Sequence, residues 1–262
     1  MRSAARPRPE ERLKRLALAA CAAVLLAGPA WPQANDTDLL EGPLLRSARA
    51  ADDPRDFSGV WFVRTYTPRV MTTNGRNPPF TPKGRAIWEA RAESERVGRP
   101  LADASAYCWP HGVPRVMNSP YPLQIIHSKD KVTFVHEVNH NIRHIYVGAS
   151  LPDPVPITFM GTSVGRWEGD TLVVETRGVS DATWMDERGI PHGKGMKVTE
   201  RFRKIEENRV LESLVRIEDP EYFTEPWFMR ITFSWRPDMR LSEYVCEENN
   251  RNMPVNGRTV AQ

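Results

Sequence analysis

Beyond residue 122, apolar and polar residues alternate with a period of two in one short run after another. The runs are LQIIHS (123–128), KVTFVHEV (131–138), IRHIYV (142–147), SVGRW (163–167), TLVVETRG (171–178), KVTERFRK (197–204), RVLESLVRIE (209–218), WFMRITFSW (227–235) and LSEYVCE (241–247). Alternation with β-branched and aromatic enrichment is the signature of half-buried strands. Turn residues separate several of them: Glu168-Gly169-Asp170, Glu206-Glu207-Asn208 and Pro237-Asp238. An earlier run, Phe57-Ser58-Gly59-Val60-Trp61-Phe62-Val63, opens the series. The pattern predicts a mainly β fold, an antiparallel meander of about ten strands closed into a lipocalin-like barrel or folded as a sandwich. One helix is expected over about residues 82–97, with Thr81 as N-cap and Pro82 in the first turn. Its Ile87, Trp88 and Ala92 form a short apolar stripe expected to pack onto the sheet. Two connections, 148–162 and 179–196, are too long for turns and read as binding loops or lids.

The N-terminus departs from this pattern. Six basic residues within the first fifteen precede the apolar run LALAACAAVLLAG (16–28), and small residues follow at Ala30 and Ala34. That order is expected of a secretory signal over residues 1–34, cleaved after Ala30 or Ala34, with Ala50 as a further possibility. Leu18-Ala19-Ala20-Cys21 imitates a lipoprotein box, but the apolar stretch continues past Cys21. The run is too short to span a bilayer, which takes roughly 20 residues. Residues 35–55 read as a flexible lead-in, 56–250 as one barrel-like domain and 251–262 as a tail.

Charge changes its meaning once the leader is set aside. The chain carries a net +3. Residues 1–34 hold six basic and two acidic side chains, so the remainder is near −1. The basic balance belongs to the leader, and nucleic acid is not an expected partner. Neither is a further membrane span. Of three cysteines, Cys108 and Cys246 remain beyond the leader, and an even pair in an exported chain is expected to form a disulfide. No GxGxxG, P-loop or thiolate-zinc spacing occurs, so no cofactor is expected.

Gly59-Val60-Trp61 resembles the Gly-x-Trp of lipocalin-like barrels. FSGVW, CWPHGVPRVMNSPYPLQII, SVGRWEGDTLVVETRG, ATWMDERGIPH, VTERFRK and LSEYVCEENN together resemble a large family of secreted bacterial β-rich proteins. The resemblance spans residues 57–250 and extends to Glu137, His140, Arg143, Trp184 and His192, though not to His136 or His144. It implies an exported β-domain and supplies no reaction.

Two clusters carry candidate chemistry. In HEVNHNIRH (136–144), Asn139-His140-Asn141 is turn chemistry, and a hairpin centred on position 140 sets His136 opposite His144 and Glu137 opposite Arg143. Facing side chains lie about 4.5–5.5 Å apart at Cβ. His136 and His144 are therefore a weak metal alternative, supplying half of a tetrahedral shell. Glu137 with Arg143 is either a structural ion pair or a ligand contact on an inner face. The second cluster lies in the loop 179–196. There His192 is a candidate acid–base oriented by Asp186 or Asp181, with Trp184 as an apolar wall. His111 near Cys108 would make a thiol–imidazole pair only if no disulfide formed.

The expected function is an exported binder of a small apolar or aromatic molecule, with Glu137, His140, Arg143, Asp181, Trp184 and His192 near the pocket. One alternative is a cofactor-free lyase, isomerase or hydratase using His192 and Asp186. The other is an envelope interaction domain.

Overall fold

The computed structural model describes residues 53–248 together with Pro254, so the expected leader and most of the tail lie outside the described residues. The strands are β1 (Gly59–Val63), β2 (Leu123–Ser128), β3 (Lys131–His136), β4 (Ile142–Val147), β5 (Thr162–Glu168), β6 (Thr171–Arg177), β7 (Lys197–Ile205), β8 (Val210–Glu218) and β9 (Trp227–Trp235). They pair in chain order, and β9 returns to β1 through Trp61 opposite Trp235, so the nine close a barrel. β2, β4 and β9 match the alternating runs to the residue. Of the two arrangements the alternation allows, barrel or sandwich, the chain forms the lipocalin-like barrel, with two differences from the expected meander.

The first difference is one parallel pair. β4 and β5 run side by side, with Ile145 opposite Ser163. Parallel neighbours need a connection that returns the chain to the starting end. The segment 148–161 makes that return, which accounts for its length. The second difference is that no tenth strand forms among the described residues. Residues 241–245 have no regular secondary structure. Both edges of β9 are already taken, by β8 and β1, so no ladder is left for LSEYVCE to join.

Side chains facing inward fill the barrel: Trp61, Ile125, Phe134, Leu172, Phe202 and Phe233 are all almost wholly buried. Burying each such side chain is worth roughly 1.5–3 kcal/mol against exposure. Helix α1 (Pro82–Arg96) is capped as the sequence predicts, with Thr81 Oγ1 accepting from the Gly84 N–H at 3.1 Å. It does not lie on the sheet, however. Ala92 is exposed, and Ile87 and Trp88 are half-buried. Trp88 stacks on Phe80, and Arg91 donates to the Gly189 carbonyl, so the helix docks on connecting segments instead.

The topology places the starts of β2, β4, β5, β7 and β9 and the ends of β1, β3, β6 and β8 at one end of the barrel. Hairpins close the other end. The long connections 64–122 and 178–196 therefore gather over a single mouth.

Candidate ligand cleft at the barrel mouth

Residues 104–107 and 115–118 form two short 3-10 turns within the connection between α1 and β2. They fold against one another through a chain of polar contacts. Asp103 caps the first turn by accepting from the Ala106 N–H. Its other oxygen accepts from Arg115 Nη2 at 2.6 Å, and the same nitrogen donates to Ser105 Oγ at 3.0 Å. Ser105 Oγ in turn lies 3.0 Å from His111 Nε2. Arg115 is 5% exposed and His111 9%. Burial holds the His111 ring neutral by pushing its pKa to about 4, helped by the nearby Arg115 charge.

Beside this chain lies a cleft of about 210 Å³. Tyr66, Tyr121 and Tyr244 line it, with His111, Arg115, Asn118, Asn139, Asp186 and Glu187 among the polar groups. Tyr121 and Tyr244 meet edge to face at 5.3 Å. Burial and a hydrogen bond with Glu187 push the Tyr66 hydroxyl well above its ordinary range. Three buried polar atoms of lining residues have no hydrogen-bond partner among the described residues: His111 Nδ1, Arg115 Nη1 and Asn139 Oδ1. Buried polar atoms are nearly always paired; nine among the described residues are not, and three of those nine belong to residues that line this one cleft.

A strap formed by residues 236–248 covers one side. The Arg236 N–H donates to the Val60 carbonyl near the hairpin end, and the strap then reaches the mouth. Glu137 accepts from the Ser242 N–H, and His140 Nε2 accepts from the Tyr244 N–H. The Cys108–Cys246 disulfide fixes it to the 104–107 turn, as the cysteine count predicts.

The hairpin HEVNHNIRH takes a register different from the expected one. Phe134 faces Arg143 and Thr133 faces His144, so paired positions sum to 277 rather than 280. The odd sum reverses parity: even residues of β3 point inward and odd residues of β4 do. The cause is the turn at Val138–His140, where Asn139 and His140 adopt left-handed φ of 52° and 48°. His136 is consequently buried in the barrel, while His144 lies on the outer face against Thr133. They sit on opposite faces of the sheet and do not form a shared metal site. No cluster of three metal-ligating side chains occurs among the described residues.

Arg143 likewise does not meet Glu137. It points into the barrel and makes a bidentate ion pair with Glu200, both side chains at most 1% exposed, while Ser163 and Thr176 accept from its remaining N–H groups. Next to this pair, burial and the Arg143 charge press the His136 pKa down to about 3.

The loop 179–196 is built differently from the expected acid–base site. Asp186 accepts three backbone N–H groups, from Val70, Arg188 and Ile190, and so staples the loop to the 64–80 segment. Its pKa is nevertheless raised, because burial outweighs those bonds. His192 contacts Thr183 Oγ1 at 2.9 Å and the Gly193 carbonyl at 3.3 Å rather than Asp186, and burial lowers its pKa to about 4. Asp181 is exposed near Lys194. Trp184 lies under Arg91 at 4.3 Å and lines a separate groove with Glu95, Leu101 and Arg188.

Of the residues singled out from the sequence, Asp186 and His111 line the cleft, and Glu137 and His140 hold the strap over it. Arg143, Trp184 and His192 lie elsewhere. Sequence reasoning passed over Ser105, Arg115, Asn139 and the three tyrosines. The available signal was the density of proline, histidine, arginine and tyrosine in residues 107–122, which has no periodicity to report. No protein-family model matches the chain, and no curated protein matches it.

Proposed function

We propose that the protein is an exported binder of a small aromatic molecule and that its site is the cleft at the barrel mouth. One observation carries the reading: His111 and Arg115, both at least nine-tenths buried, line a cleft walled by three tyrosines, and each carries a buried polar atom without a partner among the described residues. Aromatic walls with a few placed polar groups are the usual makeup of a small-molecule site. Size restricts the occupant. A dry cavity of about 150 Å³ holds one benzene ring, so 210 Å³ suits a single ring with a substituent. The leader-like pattern of residues 1–34 and the disulfide support an extracytoplasmic setting.

An acid–base role for His192 has less support, since both ring nitrogens are engaged within its own loop. Calorimetric titration with single-ring phenols and aryl ketones tests the proposal. Saturable one-to-one binding is expected, weakened at least tenfold by Asn118→Trp, which places an indole at the half-exposed rim. Binding indifferent to that substitution, or none with any ring compound, would remove the cleft from consideration.

A further inference from the structure

The unmatched atoms of the cleft have determinable polarity. A guanidinium only donates. Arg115 Nη2 donates to Ser105 Oγ, which leaves the hydroxyl one proton and one free lone pair. Its proton has one recorded acceptor, His111 Nε2. If the ring donated instead, both the hydroxyl proton and a bare Nδ1 would be unmatched, and leaving a buried polar group unmatched is costly. His111 therefore carries its proton on Nδ1, and that Nδ1–H has no partner among the described residues, just as Arg115 Nη1 has none. The Asn139 amide is oriented as well. Its Nδ2 donates to the Trp109 carbonyl at 3.0 Å, so the unmatched atom is the acceptor Oδ1.

Charge narrows the class further. Asp103 already neutralises Arg115, and Asp186 and Glu187 add carboxylates to the lining. An anionic ligand would enter against that field, so the acceptor group meeting Arg115 and His111 is better neutral.

Resting on the reading of this cleft as a ligand site, we infer that it takes an uncharged single-ring aromatic with two polar ends. A carbonyl oxygen would accept from Arg115 Nη1 and His111 Nδ1–H, and a hydroxyl or amine proton would go to Asn139 Oδ1.

The probes are 3- and 4-hydroxyacetophenone, 4-ethylphenol without the carbonyl, 4-methoxyacetophenone without the donor, and the anion 4-hydroxybenzoate, each titrated calorimetrically against the oxidised protein. At least one hydroxyacetophenone is expected to bind. Removing the carbonyl should weaken binding about 10- to 100-fold, because a charged donor loses its acceptor, and blocking the hydroxyl about 2- to 10-fold. The benzoate should bind more weakly than the ketone. Asn139→Gly tolerates the left-handed backbone and should abolish the hydroxyl preference while leaving the carbonyl preference. Equal affinity for 4-ethylphenol, tighter binding of the benzoate, or an unchanged hydroxyl preference in Asn139→Gly would overturn the inference while leaving a binding cleft. Failure of every compound would overturn both.

Discussion

At the residue scale, the barrel interior combines an apolar wall with an ion pair that water does not reach. Arg143 and Glu200 each make several hydrogen bonds, so neither charge is left unmatched. Removing one partner of such a pair strands the other charge, at about 3–5 kcal/mol. Glu200→Gln or Arg143→Met is therefore expected to lower stability by that amount in urea unfolding, and the double variant Arg143→Leu/Glu200→Leu by less than either. A single variant within about 1 kcal/mol of the parent would contradict the placement. Three buried histidines supply a second residue-scale effect. In the folded chain the His111 and His192 pKa values lie near 4 and that of His136 near 3, against about 6.5 for an unfolded imidazole. Below pH 6.5 the unfolded state binds protons that the folded rings refuse, so stability falls with falling pH until the folded rings protonate. Each histidine contributes up to about 1.4 kcal/mol per pH unit in that window. Unfolding midpoints measured at pH 7 and pH 5 should drop accordingly, and the drop should shrink in His192→Gln.

At the element scale, helix α1 shows how a local signal and its packing part company. Thr81 and Pro82 announce where the helix starts, and it starts there. The apolar stripe suggested a sheet-facing helix, but the element meets loops, and its closest approach is made by a residue without a side chain. A Cβ on Gly84 would sit 2.4 Å from the Tyr222 carbonyl oxygen. Helix propensity favours Gly→Ala by about 1 kcal/mol. Forcing backbone apart in a packed site costs about 1–3 kcal/mol. The clash should win, so Gly84→Ala is expected to lower the melting temperature; a rise would show that the helix is free to shift. The β3–β4 hairpin makes a related point. Turn residues identified the hairpin, yet the left-handed pair Asn139 and His140 changed its register and parted His136 from His144.

At the scale of the whole molecule, the strap and the disulfide join distant parts of the chain across the mouth. Cys108 and Cys246 are 138 residues apart, and closing a loop of that length is worth roughly 5 kcal/mol in the chain-entropy model. Reduction, or Cys246→Ser, should therefore lower the unfolding midpoint and also weaken ligand binding, because Tyr244 and Cys246 line the cleft. Affinity unchanged after reduction would mean that the hydrogen bonds to Glu137, His140 and Val60 hold the strap without the disulfide.

Period-two alternation by itself located most of the strands, because a strand with a wetter and a drier face writes that difference locally, although β6 and the start of β8 are buried on both faces. Thr81-Pro82 determined the helix start for the same reason, and two remaining cysteines sufficed for the disulfide. Tertiary structure alone decided the parallel β4–β5 pair, the absence of a tenth strand and the partner of Arg143. Those depend on which edges and inward positions other strands have already taken. The cleft was least legible. Its residues come from irregular segments at 66, 105–121, 139, 186 and 244, and nothing periodic in the chain marks residues that meet only when the barrel closes beneath them.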